Sequence, residues 1–236
     1  MAVGAVLLTP GFAAVDAWVK GEYGYGVYDN VLTALELERM VSLAGSSGGR
    51  LGRPSGPGGE TPRKIAFVQC VGSRDNLCGA GYCSSACCMY TAKQVALAKQ
   101  IDPELGVTVF FMDLRAFGKG FEAYVEGGQG LAGVTYRRAM PSSVHQLQRT
   151  RELLDTYVNE GGKLEEEVFD LLVLAVGLAP PEGMQALGRE LGVGLNAYGF
   201  AETEETQPTR TTQRGIFAAG AFREPKDIPE TVAEAA

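Results

Sequence analysis

The chain alternates short apolar runs with stretches whose apolar residues recur at helical spacing. Residues 3–8 are an apolar run stopped by Thr9-Pro10-Gly11, which predicts a buried strand and a tight turn. GEYGYGVYDN reads as a loop. VLTALELERMVSLAG after it has the spacing of an amphipathic helix, with Asn30 as its expected cap. From 44 to 61 the sequence AGSSGGRLGRPSGPGGET is nearly all Gly, Ser, Pro and Arg, a composition that predicts a flexible connection with nothing to build a core from. KIAFVQC is a second strand. Residues 84–100 then suit a helix capped by Ser84 or Ser85, with Met89, Ala92, Val95 and Ala96 on its apolar face. VTVFFMD predicts a strand, LRAFGKGFEAYVEG a helix and VTYRR a strand, while the polar stretch 140–167 has no decisive period. VFDLLVLAVGLAP is the most apolar strand. MQALGRELGV reads as a helix, GIFAAGAF as the last strand and IPETVAEAA as the last helix, with Pro229 in its first turn. Strands alternating with helices predict an α/β fold with a mainly parallel sheet, whose ligands gather beyond the carboxyl ends of the strands.

Composition narrows the class. The chain has 236 residues and is 45% hydrophobic, enough for one large domain or two small ones with a real core. A formal net charge of −7 argues against broad nucleic-acid binding. No apolar run is long enough to predict a membrane span. MAVGAVLLTPGF has no basic region ahead of its apolar stretch and makes a poor signal peptide. The cytoplasm is the default expectation, and there cysteines stay reduced. The single histidine, His145 in PSSVHQLQR, reads as a solvated residue in a polar loop or helix start, so histidine-rich metal sites are excluded. No G-K-[ST] follows the glycines of 44–61, so there is no P-loop.

The cysteines carry the candidate chemistry. All five fall between Cys70 and Cys88, as Cys70, Cys78, Cys83, Cys87 and Cys88, and four of them space as C-x12-C-x3-C-C. Soft thiolates gathered this way suit an iron–sulfur cluster or zinc; a redox thiol or a set of buried small hydrophobes are the rival readings. There is no C-x-x-C dithiol, and adjacent Cys87-Cys88 is awkward for one tetrahedral ion. A strand end followed by a helix start would let Cys70 and the later cysteines close on one group near the positive end of the helix dipole. The second candidate element is GIFAAGAFREPKDIPETVAEAA. Its small residues allow close backbone approach to a ligand, and Asp227 either accepts a ligand hydroxyl or simply caps the last helix.

The blocks IAFVQCVGSRD, YCSSACCMYTAKQ, FFMDLRAFGKGFE, LLVLAVGLAP and GIFAAGAFREPKDIPETVAEA, with EYGYGVYDNVLTALELERM before them, resemble the A subunit of heterodisulfide reductases and related flavoproteins of sulfur- and sulfate-metabolising bacteria. The resemblance runs over nearly the whole chain, and C-x12-C-x3-C-C together with PKDIP is its most specific part. It implies a thioredoxin-reductase-like flavoprotein of two dinucleotide-binding domains with mainly parallel sheets. It also implies FAD and iron–sulfur clusters, and electron bifurcation or electron transfer to a disulfide. By the same resemblance Cys70, Cys83, Cys87 and Cys88 are ligands of a [4Fe–4S] cluster and Cys78 lies outside the set. Lys93 matches a lysine beside the flavin ring, where a cation would stabilise reduced flavin. Gly11, Gly220, Ala221, Lys226 and Asp227 match positions around FAD, although Thr9-Pro10-Gly11 stands where the family has A-T-G.

The family's G-x-G-x-x-G pyrophosphate loop and its ferredoxin-like C-x2-C-x2-C motifs are absent from this sequence. The resemblance therefore implies the middle of a longer subunit. Residues 1–43 are a partial FAD-domain segment and 44–62 a flexible loop. Residues 63–180 are an inserted pyridine-nucleotide-type domain carrying the cysteines, and 181–236 the return of the FAD domain. The flavin domain is expected to be incomplete, with exposed sheet edges that favour a partner. The expected partners are other subunits of a heterodisulfide reductase-like or hydrogenase-linked complex, with a homodimer also allowed, and neither nucleic acid nor membrane insertion. VGSRD and the cysteines occupy the turn where a nicotinamide would bind, so no NAD(P) site is expected there. The leading expectation is an electron-transfer oxidoreductase component working between FAD and a [4Fe–4S] cluster. Its rivals are a non-catalytic iron–sulfur module that binds no FAD, and a zinc-stabilised α/β domain.

Overall fold

In the computed structural model, which describes residues 3–45, 47–56 and 59–236, the chain passes back and forth between two units. The first unit opens with β1 (Val6–Leu8) and the short β2 (Ala13–Ala14). From Asp16 the chain builds the second unit with β3 (Val31–Thr33), α1 (Ala34–Val41) and β4 (Lys64–Val71). Ser73–Ala86 groups with the first unit again. The second unit then continues through α2 (Cys87–Ile101), β5 (Gly106–Phe110), α3 (Phe121–Gln129), β6 (Val134–Arg137), β7 (Pro141–Gln146), β8 (Leu153–Val158), β9 (Leu164–Phe169) and β10 (Leu171–Val176). Gly177–Ala236 completes the first unit with β11 (Leu178–Ala179), α4 (Met184–Leu191), β12 (Thr203–Glu204), β13 (Gln207–Thr211), β14 (Ile216–Ala218) and α5 (Ile228–Ala235).

The second unit is built on the predicted parallel sheet, in the order β3-β10-β4-β5-β6 with every neighbouring pair parallel. All six residues of β10 are buried because both faces of the sheet are covered. The period of two sorts the side chains between those faces. Ile65, Phe67, Leu171 and Val173 pack with Leu37 of α1 and Val95 of α2. Ala66, Val68, Leu172 and Leu174 pack with Val144, Leu153, Tyr157 and Phe169. That second layer is the antiparallel sheet β7-β8-β9, which accounts for the stretch 140–167 that has no decisive period in the sequence. His145 lies there, exposed on a strand rather than in a loop or helix start.

Two local expectations are corrected. Asn30 does not cap α1. Residues 31–33 form a strand against β10, as β-branched Val31 and Thr33 favour, and the helix starts at Ala34. Thr33 is the cap: its hydroxyl accepts the Glu36 N–H at 3.3 Å, and the Glu36 carboxylate accepts the Thr33 N–H at 2.7 Å. Asn30 is buried instead, donating to Arg151 O at 2.8 Å and accepting from Ser55 N–H at 3.1 Å. The helix expected from 84 starts at Cys87. Ser84 turns its hydroxyl to other work, accepting from Leu178 N–H at 2.8 Å and donating to Ser73 Oγ at 3.1 Å.

The Gly-rich stretch contributes Leu51 to the core and Arg53 to a buried ion pair with Asp170 at 3.1 Å. The other Asp170 oxygen accepts from Arg63 N–H and Lys64 N–H at 2.8 and 2.9 Å.

The first unit has a four-stranded sheet in the order β1-β14-β13-β12, with β1 parallel to β14 and the rest antiparallel, and a separate antiparallel pair of β2 with β11. Its core is small: Ala201, Ala218 and Phe222, with Leu8, Met184 and Leu195 packed against them. β1 is an edge strand of this sheet, and Leu7 on it is 62% exposed. α5 starts as predicted, with Pro229 in its first turn and Asp227 capping it in a reciprocal pair with Glu230. No helix among the described residues is long and apolar enough to cross a membrane.

Candidate functional site

In the α/β unit, Cys70 stands near the carboxyl end of β4 with φ 59°, a left-handed conformation uncommon for any residue with a side chain. Cys87 and Cys88 open α2 and are buried, at the end of the helix where the backbone dipole favours a thiolate. Cys87 Sγ stands 3.6 Å from Val176 O, and the Tyr90 hydroxyl donates to that same oxygen at 2.8 Å. Cys88 Sγ accepts the Arg115 N–H at 3.3 Å. Tyr90 reports on all three thiols. Burial first, then the charge and hydrogen bonding of Cys87, and then the charges of Cys70 and Cys88 push its hydroxyl well above the ordinary phenol range. The Tyr136 hydroxyl, which has no hydrogen-bond partner among the described residues, is pushed up to about 12 by burial and then by Cys88 and Tyr124.

Lys93 lies on α2, exposed, in an ion pair with Glu38 of α1. Burial works against ionised Glu38, but hydrogen bonds from Lys93 and Gln94 and the Lys93 charge hold its carboxyl below its ordinary range.

Cys78 and Cys83 lie in Ser73–Ala86, which groups with the first unit. Arg74 N–H donates to Tyr82 O at 2.8 Å and Asp75 bridges to Ala80, so the segment folds back on itself. Cys78 Sγ is 3.4 Å from the Asp75 carboxylate, whereas Cys83 Sγ accepts the Ser85 N–H at 3.4 Å. Tyr82 donates to Leu178 O at 2.8 Å and packs edge-on against Tyr198 and Phe200 at 4.8 and 5.2 Å. These rings line a cleft of about 700 Å³ that also takes in Cys83, Arg223, Lys226 and Glu234.

The other expected flavin residues are in this unit as well. Gly11 has φ 78° and open space where a side chain would stand. Gly220 has φ 74°, and a Cβ there would meet Thr231 at 3.2 Å. Ala221 follows it in a single turn of 3-10 helix, Lys226 is buried, and Asp227 is engaged as the cap of α5. The same lining holds Glu224, Glu230 and Glu234, so its two cations are countered within the cleft, while its aromatic rings suit a planar group.

None of the five cysteines is in a disulfide. Among the described residues, no three His, Cys, Asp or Glu side chains stand as one metal ion requires. Sequence reasoning does not single out Tyr90, Tyr136 or Glu234. Tyr90 carries a usable signal, since it lies one helical turn after Cys87. Glu234 carries one too, two turns after Asp227.

A family model described as pyridine nucleotide-disulphide oxidoreductase matches residues 59–236. The A subunit of the H(2):CoB-CoM heterodisulfide,ferredoxin reductase of Methanothermobacter marburgensis is 42% identical over 238 residues, which are 99% of this chain and 35% of that one. The iron-sulfur A subunit of the CoB--CoM heterodisulfide reductase of Methanocaldococcus jannaschii is 43% identical over 239 residues, covering 99% and 36%. This chain thus spans about a third of the length of the curated relatives it matches. Among solved structures, LpdA of Mycobacterium tuberculosis overlaps 73% of this chain and 33% of its own, with TM-score 0.45 and 17% identity.

Proposed function

The chain belongs to the pyridine nucleotide-disulphide oxidoreductase family, and on that premise we propose that it is the electron-transfer portion of a heterodisulfide reductase A-like subunit, working between FAD and a [4Fe–4S] cluster. The observation that carries this reading is the placement of Cys70 near the end of β4 and of Cys87 and Cys88 at the start of α2 in one unit, with all three thiols acting on the Tyr90 hydroxyl. Cys83, four residues before Cys87, joins them as the fourth ligand on its spacing in the sequence. Thiolates are soft donors, and backbone N–H groups already bond Cys88 and Cys83, as suits sulfur that is to carry negative charge. Two cysteines adjacent in sequence favour a cluster with several irons over a single zinc ion.

The cleft beside Tyr82 is the proposed flavin site; Lys226 lines it, and Gly11, Gly220, Ala221 and Asp227 belong to the same unit. When bound, FAD would supply two-electron chemistry and the cluster one-electron steps. By the resemblance Lys93 would supply a cation near the flavin ring; in its own unit it pairs with Glu38. The relatives' names, as A subunits of CoB-CoM heterodisulfide reductases, favour a disulfide as the acceptor of the whole protein and further subunits as its partners.

The test is a visible spectrum with iron and flavin quantification on protein purified without oxygen. About four irons per chain with a broad charge-transfer band, together with bound flavin, is the expected result. Iron without flavin removes the FAD half of the reading. A colourless protein that holds zinc overturns it.

A further inference from the structure

Glu234 is a nearly buried carboxylate held by three donors of its own unit. One oxygen accepts the Gly220 N–H at 2.7 Å; the other takes Lys226 Nζ at 2.5 Å and Arg223 Nη1 at 2.6 Å. The side chains of Lys226 and Glu234 are 5% and 6% exposed. Of the other carboxylates that line the cleft, Glu224 is 2.5 Å from Arg223 and 3.6 Å from Lys226 but is 54% exposed, and Glu230 is taken up in the capping pair with Asp227. Burial opposes ionisation of Glu234, but the bonds from Lys226, Gly220 N–H and Arg223 hold its carboxyl below the ordinary range, so it is a carboxylate at neutral pH. Without it, an ammonium, a guanidinium and a backbone N–H would all face one position on the wall of the cleft. That donor set is the one that recognises a phosphate or carboxylate head.

The element that delivers Glu234 is lightly anchored. α5 has no fully buried residue, and Ile228 and Val232 on it are 80% and 64% exposed. It lies close against Gly220, where a Cβ would stand 3.2 Å from the Thr231 methyl. A helix with so little apolar burial moves at low cost once its polar anchor is released.

We propose that Gly220 N–H, Arg223 and Lys226 form an oxyanion seat for a ligand in the cleft, and that Glu234 is the chain's own anion occupying that seat until the ligand displaces it. The seat is defined by this geometry; the identity of the ligand rests on the flavin reading, under which the displacing group is a phosphate of FAD. α5 then acts as a latch, closed by Glu234 when the cleft is empty and released when a phosphate arrives.

The experiment is calorimetric titration of the full chain with inorganic phosphate, comparing wild type, Glu234→Gln and the double variant Glu234→Gln with Lys226→Gln. Glu234→Gln is expected to bind phosphate at least about ten-fold tighter than wild type (about 1.4 kcal/mol), and the double variant to lose that gain. Equal affinity in wild type and Glu234→Gln, or a gain that survives Lys226→Gln, overturns the seat. If Glu234→Gln does not fold, Glu234→Asp keeps the charge and draws it back by one methylene; a smaller gain is expected there, and none overturns the proposal. FAD competing with phosphate where riboflavin does not supports both readings. Phosphate binding that FAD leaves untouched keeps the seat and removes the flavin from this cleft.

Discussion

Cys87 and Tyr90 share a single acceptor, the Val176 carbonyl, at 3.6 and 2.8 Å. Under the proposed ligand set Cys87 would be a thiolate that has given up its proton, and the Tyr90 hydroxyl would be left as a donor between a carbonyl and an anionic sulfur. Hydrogen bonds to cluster sulfur raise the reduction potential. Tyr90→Phe is therefore expected to keep the iron and shift the cluster to a more negative potential, read by a redox titration followed by electron paramagnetic resonance. An unchanged potential in an iron-replete variant would show that the hydroxyl stays on Val176.

The two cysteines of Ser73–Ala86 have different neighbours, and their substitutions should separate. Cys83→Ala and Cys87→Ala are expected to lose the iron, and Cys78→Ala to retain it. Iron content per chain decides. Loss with Cys78→Ala and retention with Cys70→Ala would overturn the ligand assignment.

Asp155 makes the α/β unit sensitive to pH. It is fully buried on β8, opposite Glu167 of β9, and neither carboxylate oxygen has a hydrogen-bond partner among the described residues. Burial, then the charge of Glu167, pushes its carboxyl up to about 8. An Asp in the unfolded chain titrates near ~4, so between those values the fold holds a proton that the unfolded chain has released. Stability therefore falls as pH rises from about 4 to about 8 and is level above that. Asp155→Asn is expected to remove this slope and to be more stable than wild type at pH 9 by on the order of 2 kcal/mol, with the gap closing toward pH 4. Urea unfolding at pH 5, 7 and 9 measures it; parallel curves would mean that Asp155 is not protonated in the fold.

Asp170 ties the Gly-rich stretch to the sheet. Asp170→Asn would leave the Arg53 guanidinium buried without its counter-charge and is expected to destabilise by about 3–5 kcal/mol. Limited proteolysis should then cut in the 44–62 stretch before anywhere else. Cleavage there at the wild-type rate would show that Leu51 in the core and Ser55 on Asn30 hold the stretch down without Asp170.

The parallel sheet is legible in the sequence because its strands are strongly apolar: LLVLAV and KIAFVQC read as buried from their residues alone. β7 to β9 are not. Their inward positions include Asp155, Glu165 and Glu167 and their outward ones Leu164 and Val168, so charge and apolar residues fall on the faces opposite to the usual period of two. The start of α1 is misread because VLT fits helical spacing as well as a strand, and only the neighbouring β10 decides between them. The cysteine spacing and the PKDIP turn stand out by composition. Tyr90 and Glu234 are ordinary helix residues until the fold gives them their partners.

Val6 pairs with Ile216, so the sheet of the first unit joins strands from near opposite ends of this chain. The α/β unit needs nothing beyond Val176 to close its own sheet. On the ribosome, then, the housing of Cys70, Cys87 and Cys88 can be finished before β14, the strand that β1 pairs with here, has been made. Of these residues, the sheet of the first unit is therefore the last to be completed, after the cysteine-bearing sheet.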